Sequence, residues 1–99
     1  MRGKKGRKIL GFDWDKANKY KNWEKHRVSF RESEEVFFDR NLKLFYDFRH
    51  SQKEKRFVGL GKTNEGRKLF LVFTLRGEKV RIISARDMSK RERNLYEKK

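Results

Sequence analysis

The sequence predicts an α+β domain in which an antiparallel β-sheet packs against an N-terminal helix pair and a C-terminal helix. Three observations support this fold class. Ser-x-x-Glu capping boxes open two helical segments, four strand-like runs follow one another between these segments, and Gly77-Glu78 separates the last two runs. Because helices and strands are segregated along the chain, we expect two layers around one core.

The chain begins with a Gly-containing basic run, residues 1–8, which has no hydrophobic periodicity. This composition predicts a flexible basic arm. The remaining residues, 9–99, are sufficient for a single domain with one small core.

A first helix is predicted after a short strand at residues 9–14. Asp13 or Asp15 supplies an N-cap carboxylate, and the helix runs to about His26. Its apolar residues recur at helical spacing, and the stripe that they form is expected to pack on the sheet. These residues are Ala17, Tyr20 and Trp23.

The second helix is predicted by Ser29 and Glu32, because the two side chains of a capping box each satisfy a free backbone amide of the first turn. The helix begins near Phe30 and ends before Asn41. Its expected core contacts are Phe30, Val36 and Phe37.

Strands are predicted at residues 42–48, 56–60, 68–75 and 79–86, with a turn at residues 61–66. The final helix begins with a second capping box, formed by Ser89 and Glu92. Its expected inward residues are Met88, Leu95 and Tyr96.

The Gly77-Glu78 turn predicts the register of the last two strands, since Gly at the first central position accepts the positive φ that a two-residue hairpin turn requires. Side chains alternate across each strand, so two faces follow. The expected core face holds Leu69, Leu71, Phe73 and Leu75 with Val80, Ile82, Ser84 and Arg86. The opposite face pairs Arg76 with Lys79, Thr74 with Arg81, Val72 with Ile83 and Phe70 with Ala85.

The charge of the chain indicates a polyanionic partner. Lys and Arg number 29 against 14 Asp and Glu, which gives a formal net charge of +15. The aromatic content of 14%, mostly Phe, argues against disorder, because it is enough for a small core.

The composition also excludes several classes of protein. Without cysteine the chain has no disulfide and no Cys-based metal site, and its two histidines form no recognisable zinc motif, so we expect neither a metal nor another cofactor. No apolar run approaches the roughly 18 residues that span a bilayer, and no apolar segment follows the basic N-terminus as in a secretion signal. The expected location is the cytoplasm, without a membrane partner.

Four arginines at or near strand ends are candidates for phosphate binding, because a guanidinium can grip two oxygens. They are Arg56, Arg76, Arg81 and Arg86. For each one, a place on the solvated side of a basic sheet is an equally good explanation. Further candidate RNA contacts are Lys25, His26, Lys79 and Arg91. His26 also suits a structural role at the negative end of a helix dipole.

Metal-free RNA cleavage requires a base for the 2′-hydroxyl, an acid for the leaving 5′-oxygen and cations for the charge on the phosphorane. His50, Glu54 and Arg56 lie in one polar connection, where they could converge, and His titrates near neutral pH. Tyr96 is a further candidate proton donor. The alternatives stay open, because an exposed loop histidine, a charge-balancing Glu54 and a partly buried Tyr96 explain the sequence as well.

Several short motifs occur in a particular order along the chain. They are F-D-W-D, then N-W-E-K-H followed by V-S-F, then H-S-x-x-E-x-R-F-x-G, and finally R-I-I-S-A-R-x-x-x-K-R-E-R-x-x-Y-E. This set closely resembles the BrnT family, the toxin halves of bacterial type II toxin-antitoxin modules. The resemblance covers residues 12–97 and is most specific over residues 81–97. The matching positions are Trp14, Asn22, Lys25, His26, Ser29, Phe30, His50, Ser51, Glu54, Arg56, Phe57, Gly59, Arg81, Ser84, Arg86, Arg91, Glu92 and Tyr96.

The resemblance implies a RelE/ParE-like fold and a ribonuclease that slows growth by cleaving RNA. It also implies a BrnA-like antitoxin with a ribbon-helix-helix domain, in a heterotetramer of two toxins and two antitoxins that contacts operator DNA only through the antitoxin. On this interpretation the catalytic candidates are His50, Glu54, Arg56, Arg81, Arg86 and Tyr96.

Three features depart from the family pattern. Arg27 stands where the family commonly has Gly, Arg40 stands where Pro often follows the Asp, and residues 1–8 are extra. Arg27 makes a left-handed end of the first helix less favourable, because a residue with a side chain is strained at positive φ.

Two other functions remain open. A non-catalytic nucleic-acid or ribosome-binding module explains the charge through counterion release, although the sequence has no RNP-type aromatic motif and no obvious helix-turn-helix. A RelE-like toxin that acts on a protein target predicts growth arrest without loss of RNA.

Overall fold

The strands of the chain form one mixed β-sheet that carries helices on both faces. The computed structural model describes residues 10–50 and 53–98, and the predicted basic arm at residues 1–8 lies outside them. The strands are β1 (Gly11–Phe12), β2 (Lys43–Tyr46), β3 (Phe57–Lys62), β4 (Lys68–Arg76) and β5 (Lys79–Asp87). The helices are α1 (Lys16–Lys19), α2 (Lys21–His26), α3 (Phe30–Val36) and α4 (Lys90–Glu97), with a 3₁₀ turn at Phe48–His50.

The order of strands in the sheet is β1-β5-β4-β3-β2. Strands β2 to β5 are antiparallel neighbours, as predicted, but β1 runs parallel to β5, with Phe12 opposite Val80. The prediction of a purely antiparallel sheet is therefore wrong. The reason is that β1 is connected to the rest of the sheet through helices rather than a hairpin turn, and only a tight hairpin imposes an antiparallel direction.

Capping boxes confirm the predicted helix starts. The side chains of Asp15, Ser29 and Ser89 each accept a hydrogen bond from the backbone N–H three residues further on, and the backbone N–H of each donates in return to the side chain of that later residue. The single helix predicted up to His26 is instead two short helices, because the backbone of Tyr20 (φ −110°, ψ 3°) departs from helical geometry. The expected N-terminal helix pair is thus three helices.

The face that α1 and α2 turn toward the sheet is polar. Asn22 is buried, and Nδ2 of Asn18 donates to the carbonyl oxygen of Ile82 at 3.2 Å. Beyond Val80 the β5 edge is not paired with β1, so the amide of Asn18 supplies a donor there. The predicted apolar stripe is wrong, since its members are all exposed. These are Ala17, Tyr20 and Trp23.

The main core lies between these helices and one face of the sheet. Its buried residues are Val28, Val36, Leu69, Leu71, Phe73, Val80, Ile82 and Ala85. The predicted core contacts of α3 are confirmed for Val36, which is fully buried, and for Phe37, which packs against this core. Phe30 is only half-buried and meets Trp14 edge-to-face at 6.1 Å between ring centroids. Gly61 allows α3 to approach β3 closely, because a Cβ there would lie 2.7 Å from Cγ1 of Val36.

The β4–β5 hairpin has the predicted two-residue turn. Gly77 adopts a positive φ of 64°, and Arg76 pairs with Lys79. The predicted register is confirmed from this pair as far as Phe73 opposite Ile82.

A β-bulge then changes the faces of the remaining residues of β5. The register shifts between Val72 and Phe73, which leaves Ile83 as the extra residue. Ala85, predicted to face away from the core, is fully buried in it, whereas Ser84 and Arg86, predicted to lie in it, are on the opposite face. One unpaired residue inverts the alternation of a strand. The bulge thereby keeps a guanidinium out of an apolar interior, where it would be unpaired.

Helix α4 packs on the face of the sheet opposite the other helices. Leu60, Met88 and Tyr96 form a second buried cluster there, flanked by Val58 and Phe70. The prediction of two layers is therefore wrong, because the sheet is covered on both sides at this end. Met88 and Tyr96 point inward as predicted, whereas Leu95 is exposed.

The Arg86 guanidinium connects β5 to α4. Two of its nitrogens donate to the carboxylate of Glu92 at 2.8 and 2.9 Å, and the group lies 4.0 Å from the ring centroid of Phe70. The hydrogen bond from Arg86 holds the pKa of Glu92 below its ordinary value of 4.5, although partial burial opposes this shift.

The Arg67 guanidinium connects three further parts of the chain. It donates to Asp87 at 2.7 and 3.0 Å, to the carboxylate of Glu32 at 3.2 Å and to the carbonyl oxygen of Arg27 at 2.8 Å. The bond to Asp87 raises the pKa of Arg67 further, so this guanidinium stays charged. It holds the end of α2 and the start of α3 against the sheet.

Replacing Arg27 by Gly is expected to stabilise the protein. Arg27 ends α2 in the left-handed conformation (φ 55°, ψ 37°), which Gly adopts without steric cost. We expect Arg27→Gly to raise the free energy of unfolding by about 0.5–1 kcal/mol, because the contact of Arg27 with the exposed Trp23 ring offsets little of the gain. Urea denaturation followed by Trp fluorescence measures this difference. Arg31→Gly, at the exposed second residue of α3, is the control and should lower the same quantity, by up to about 1 kcal/mol. Equal destabilisation by both substitutions would contradict the strain at Arg27.

Removing the Glu92 charge is expected to destabilise the protein in a pH-dependent manner. The folded pKa of Glu92 is lowered, so its contribution is fully present above the unfolded pKa of about 4.5 and is lost as the pH falls through the lower folded value. We expect Glu92→Gln to lower the free energy of unfolding by about 1–2 kcal/mol at pH 7, and to approach wild type in acid. Urea denaturation at neutral and acid pH measures this. The control is Glu65→Gln in the exposed turn after β3, and a Glu92→Gln deficit that stays constant with pH would be evidence against the ion pair.

Candidate active site

An open cleft lies beside the connection between β2 and β3. Its volume is about 440 Å³, and it is lined by Arg49, His50, Lys53, Glu54 and Arg56. Three predicted catalytic residues, His50, Glu54 and Arg56, are therefore brought together. The ends of the connection are held by a backbone hydrogen bond from the N–H of Asp47 to the carbonyl oxygen of Arg56 at 2.9 Å.

The imidazole of His50 is oriented by a carboxylate of the same connection. Nδ1 of His50 lies 3.0 Å from a carboxylate oxygen of Asp47, three residues earlier. Although partial desolvation opposes the shift, the bond from His50 lowers the pKa of Asp47, so Asp47 is ionised at neutral pH. An ionised acceptor at Nδ1 favours the tautomer that carries its proton on Nδ1. With the His50 side chain 65% exposed, Nε2 is then able to accept or return a proton.

The turn end of the β4–β5 hairpin adjoins the cleft. Glu54 lies 3.5 Å from the guanidinium of Arg76, whose neighbour across the hairpin is Lys79. Oγ1 of Thr74 donates to the carbonyl oxygen of Lys55 at 2.6 Å and fastens the connection to β4. The cleft and the hairpin end thus form one basic surface, with Glu54 between them.

Arg81 lies on the same face of the sheet as Arg76 and Lys79, and its neighbour across the hairpin is Thr74. Its guanidinium donates to Asp15 at 2.8 Å and lies 3.5 Å from Asp13. The hydrogen bond to Asp15 raises the pKa of Arg81, despite the opposing effect of burial. Arg81 therefore fastens the N-terminal segment to β5.

Two predicted catalytic residues lie elsewhere. Arg86 is bound by Glu92, as described above. Tyr96 lines a different cavity, near the C-terminal end of α4, and its hydroxyl donates to Asp39 at 2.5 Å. Burial, and then the bond to Asp39, raise the pKa of Tyr96 well above its ordinary value, so the hydroxyl keeps its proton.

The remaining candidate RNA contacts do not line the cleft. Lys25 and His26 are exposed at the end of α2, and Arg91 is exposed in the first turn of α4. The carbonyl oxygen of His26 accepts a hydrogen bond from Arg67 at 3.3 Å, so its backbone takes part in the fold. The matching motif residue Ser51 lies outside the described residues.

Sequence reasoning missed Asp47, Arg49 and Lys53. Asp47 precedes His50 by three residues, a spacing that brings side chains together within one helical turn, and this signal was available in the sequence. Lys53 was interpreted only as part of a polar connection, and Arg49 was given no role. Their place in the cleft depends on the path of the chain between β2 and β3.

Within residues 10–50 and 53–98, no group of three or more His, Asp or Glu side chains is arranged to hold a metal ion. None of the helices in this part of the chain is long and apolar enough to cross a membrane. Chemically, the cleft combines an oriented imidazole, one carboxylate and several cations, which is a set suited to proton transfer beside a phosphate.

Comparisons with known proteins place this arrangement in context. Residues 14–92 match the family model described as ribonuclease toxin, BrnT, of type II toxin-antitoxin system. The fold is similar to the 1.1 Å crystal structure of the Brucella abortus ribonuclease toxin, BrnT, with a TM-score of 0.60 and 22% sequence identity over 83% of this chain and 100% of that one. A search of curated proteins finds no match.

Proposed function

Because this chain belongs to the BrnT family of ribonuclease toxins of type II toxin-antitoxin systems, we propose that it is a metal-independent endoribonuclease whose active site is the cleft at His50. One observation carries this assignment of the site. His50, oriented by Asp47, shares a cleft with Glu54 and Arg56, three residues that the sequence places within one connection. The wider assignment to a RelE/ParE-like fold stays a prediction.

The proposed reaction is transesterification at an RNA phosphodiester. One of His50 and Glu54 removes the proton from a 2′-hydroxyl, and the 2′-oxygen bonds to the adjacent phosphorus. The bond from phosphorus to the 5′-oxygen breaks, and the other residue supplies the proton that this leaving oxygen takes up. The products carry a 2′,3′-cyclic phosphate and a 5′-hydroxyl, so neither an oxidant nor a metal is needed for the balance.

The cations of the cleft stabilise the charge that develops on the phosphorane. Arg56 lies in the cleft itself, and Arg49 and Lys53 line it beside His50. Arg76 lies 3.5 Å from the carboxylate of Glu54, beside the cleft. Lys79 continues the basic surface along the hairpin, while Arg81 is engaged by Asp15 and Asp13. Lys25, His26 and Arg91 serve contacts with more distant phosphates of the RNA.

Arg86 and Tyr96 have structural roles in this proposal. A guanidinium with a bidentate carboxylate partner must break that pair before it binds phosphate, so Arg86 is poorly placed to act as a phosphate ligand. The Tyr96 hydroxyl is similarly engaged by Asp39. Proton transfer is therefore assigned to His50 and Glu54.

Mutation of His50 tests the active site. We expect His50→Ala to lower kcat for cleavage of a single-stranded RNA in EDTA by about 10²–10⁴-fold, because a general acid or base is lost while the exposed side chain contributes little to the fold. End-group analysis should find 2′,3′-cyclic or 3′-phosphate ends on the wild-type products.

Two variants serve as controls for that experiment. His26→Ala removes the other histidine and should change KM more than kcat, whereas Tyr96→Phe should keep kcat within about threefold and lower the free energy of unfolding by about 1–2 kcal/mol. Intact RNA at excess wild-type protein would overturn the ribonuclease assignment in favour of a binding module or a protein target. Cleavage that survives His50→Ala but not Tyr96→Phe would move the site to Tyr96.

An antitoxin of the BrnA type is the proposed partner, with a ribbon-helix-helix domain that contacts operator DNA for the complex. The net charge of +15 favours an acidic cover over the cleft. We expect co-expression to yield a heterotetramer of two toxins and two antitoxins in the cytoplasm. Size-exclusion chromatography with light scattering measures this stoichiometry. A toxin that purifies alone in high yield from an unaffected host would contradict the proposal that it requires an antitoxin.

A further inference from the structure

Phe48 is an aromatic residue next to the cleft whose side chain is largely exposed to solvent. Phe48 is 82% exposed, although it begins the 3₁₀ turn that ends at His50. A single exposed Phe is common on protein surfaces and requires no explanation by itself. The surroundings of Phe48 give it significance.

The ring of Phe48 is supported from one side. Tyr46 meets it edge-to-face, with 4.6 Å between ring centroids and 88° between planes, and Tyr46 in turn packs on Phe57 at 5.7 Å. Phe57 stacks on the core residue Phe73 at 5.5 Å. A series of ring contacts thus runs from the core to Phe48, which holds an exposed aromatic ring in place at little further entropic cost on binding.

Basic residues follow Phe48 directly in the chain. Arg49 and His50 are the next residues, and with Lys53 they line the cleft. An apolar peptide would have to desolvate these charges, whereas single-stranded nucleic acid presents a flat aromatic base beside each phosphate. Aromatic rings among cations form the usual surface on which single strands bind.

A second exposed phenylalanine provides a contrast. Phe38, at the end of α3, is 78% exposed, and it lines a different cavity with two carboxylates, Glu34 and Glu35, and one cation, Arg31. Two carboxylates repel a polyanion, so equal exposure at this position does not create a nucleic-acid site. Phe48 and Phe38 are thus similarly exposed, but they differ in the charge of the side chains around them.

We propose that Phe48 stacks on a base of single-stranded RNA and thereby places a neighbouring phosphate in the cleft. This inference rests on the proposed ribonuclease function and extends it to the choice of substrate, since bases in a continuous duplex are already stacked and leave no free face for Phe48. Phe48 is a positioning residue here. His50 and Glu54 act on the reacting atoms.

Two single-stranded probes test the inference. One is a 2′-O-methyl RNA oligomer, which lacks the hydroxyl needed for cleavage, and the other has the same backbone with abasic positions throughout. Fluorescence anisotropy gives Kd for each. We expect Phe48→Ala to weaken binding of the base-bearing oligomer by about 10- to 100-fold and to leave the abasic oligomer within about twofold of wild type.

Three variants separate stacking from other effects. Phe48→Trp keeps an aromatic face and should bind the base-bearing oligomer as wild type does, whereas Phe48→Leu keeps apolar bulk and should behave like Phe48→Ala. Phe38→Ala is the matched control and should change neither Kd. Thermal melting by circular dichroism should be the same for all variants at Phe48, because the side chain is exposed.

Unchanged affinity of Phe48→Ala for the base-bearing oligomer would overturn the inference, as would an equal loss for both oligomers. Unchanged RNA affinity together with loss of co-purification with a co-expressed antitoxin would assign Phe48 to the protein partner instead. Cleavage of ordinary RNA by the wild-type chain is scored separately. If it is absent while the base-dependent difference in Kd persists, the ribonuclease assignment fails and the stacking site stands.

Discussion

The Arg67 guanidinium holds the helical layer to the sheet. It lies between α2, α3 and the end of β5, and it satisfies the carboxylates of Glu32 and Asp87 and a carbonyl group of the α2 terminus at once. A planar group with five donors can do this, whereas a Lys ammonium could not match the same geometry. Although the chain carries a large excess of positive charge, the charge of Arg67 therefore serves to stabilise the fold.

Two other arginines of the sheet also have structural roles. Arg81 and Arg86 have carboxylate partners from distant parts of the chain, and these pairs hold the N-terminal segment and α4 in place. The residues that line the cleft beside His50 include one carboxylate, Glu54, among several cations. The cleft thus places several cations beside an oriented imidazole, which is the physical basis of the proposed site.

The family motifs record the fold as much as the chemistry. Trp14 donates to Glu34 at 2.8 Å, Asn22 of α2 is buried, and Ser29 and Glu92 close capping boxes. Substituting such residues would destabilise the fold, and activity would then fall although no catalytic group has been removed. Loss of function at a motif position therefore identifies chemistry here only when stability is measured beside it.

The sequence by itself determined the features that depend on neighbouring residues. The caps at Ser29 and Ser89, the positive φ of Gly77 and the approximate strand limits follow from bonds and dihedral angles within a few residues. The placement of His50 and Glu54 in one cleft was also accessible, because both lie in one short connection. These interactions are local, so composition and spacing predict them.

The tertiary structure alone decided the features that depend on distant partners. Tyr96 meets Asp39 across 57 positions, and Asn18 meets the Ile82 carbonyl across 64, so neither pair is visible as a spacing. The bulge at Ile83 arises because the core accepts Ala85 and excludes the charge of Arg86, a choice that alternation along the strand does not contain. Long-range packing sets which of the two faces of the sheet a residue occupies. For this reason the sequence did not distinguish the structural arginines, Arg81 and Arg86, from the arginine in the cleft, Arg56.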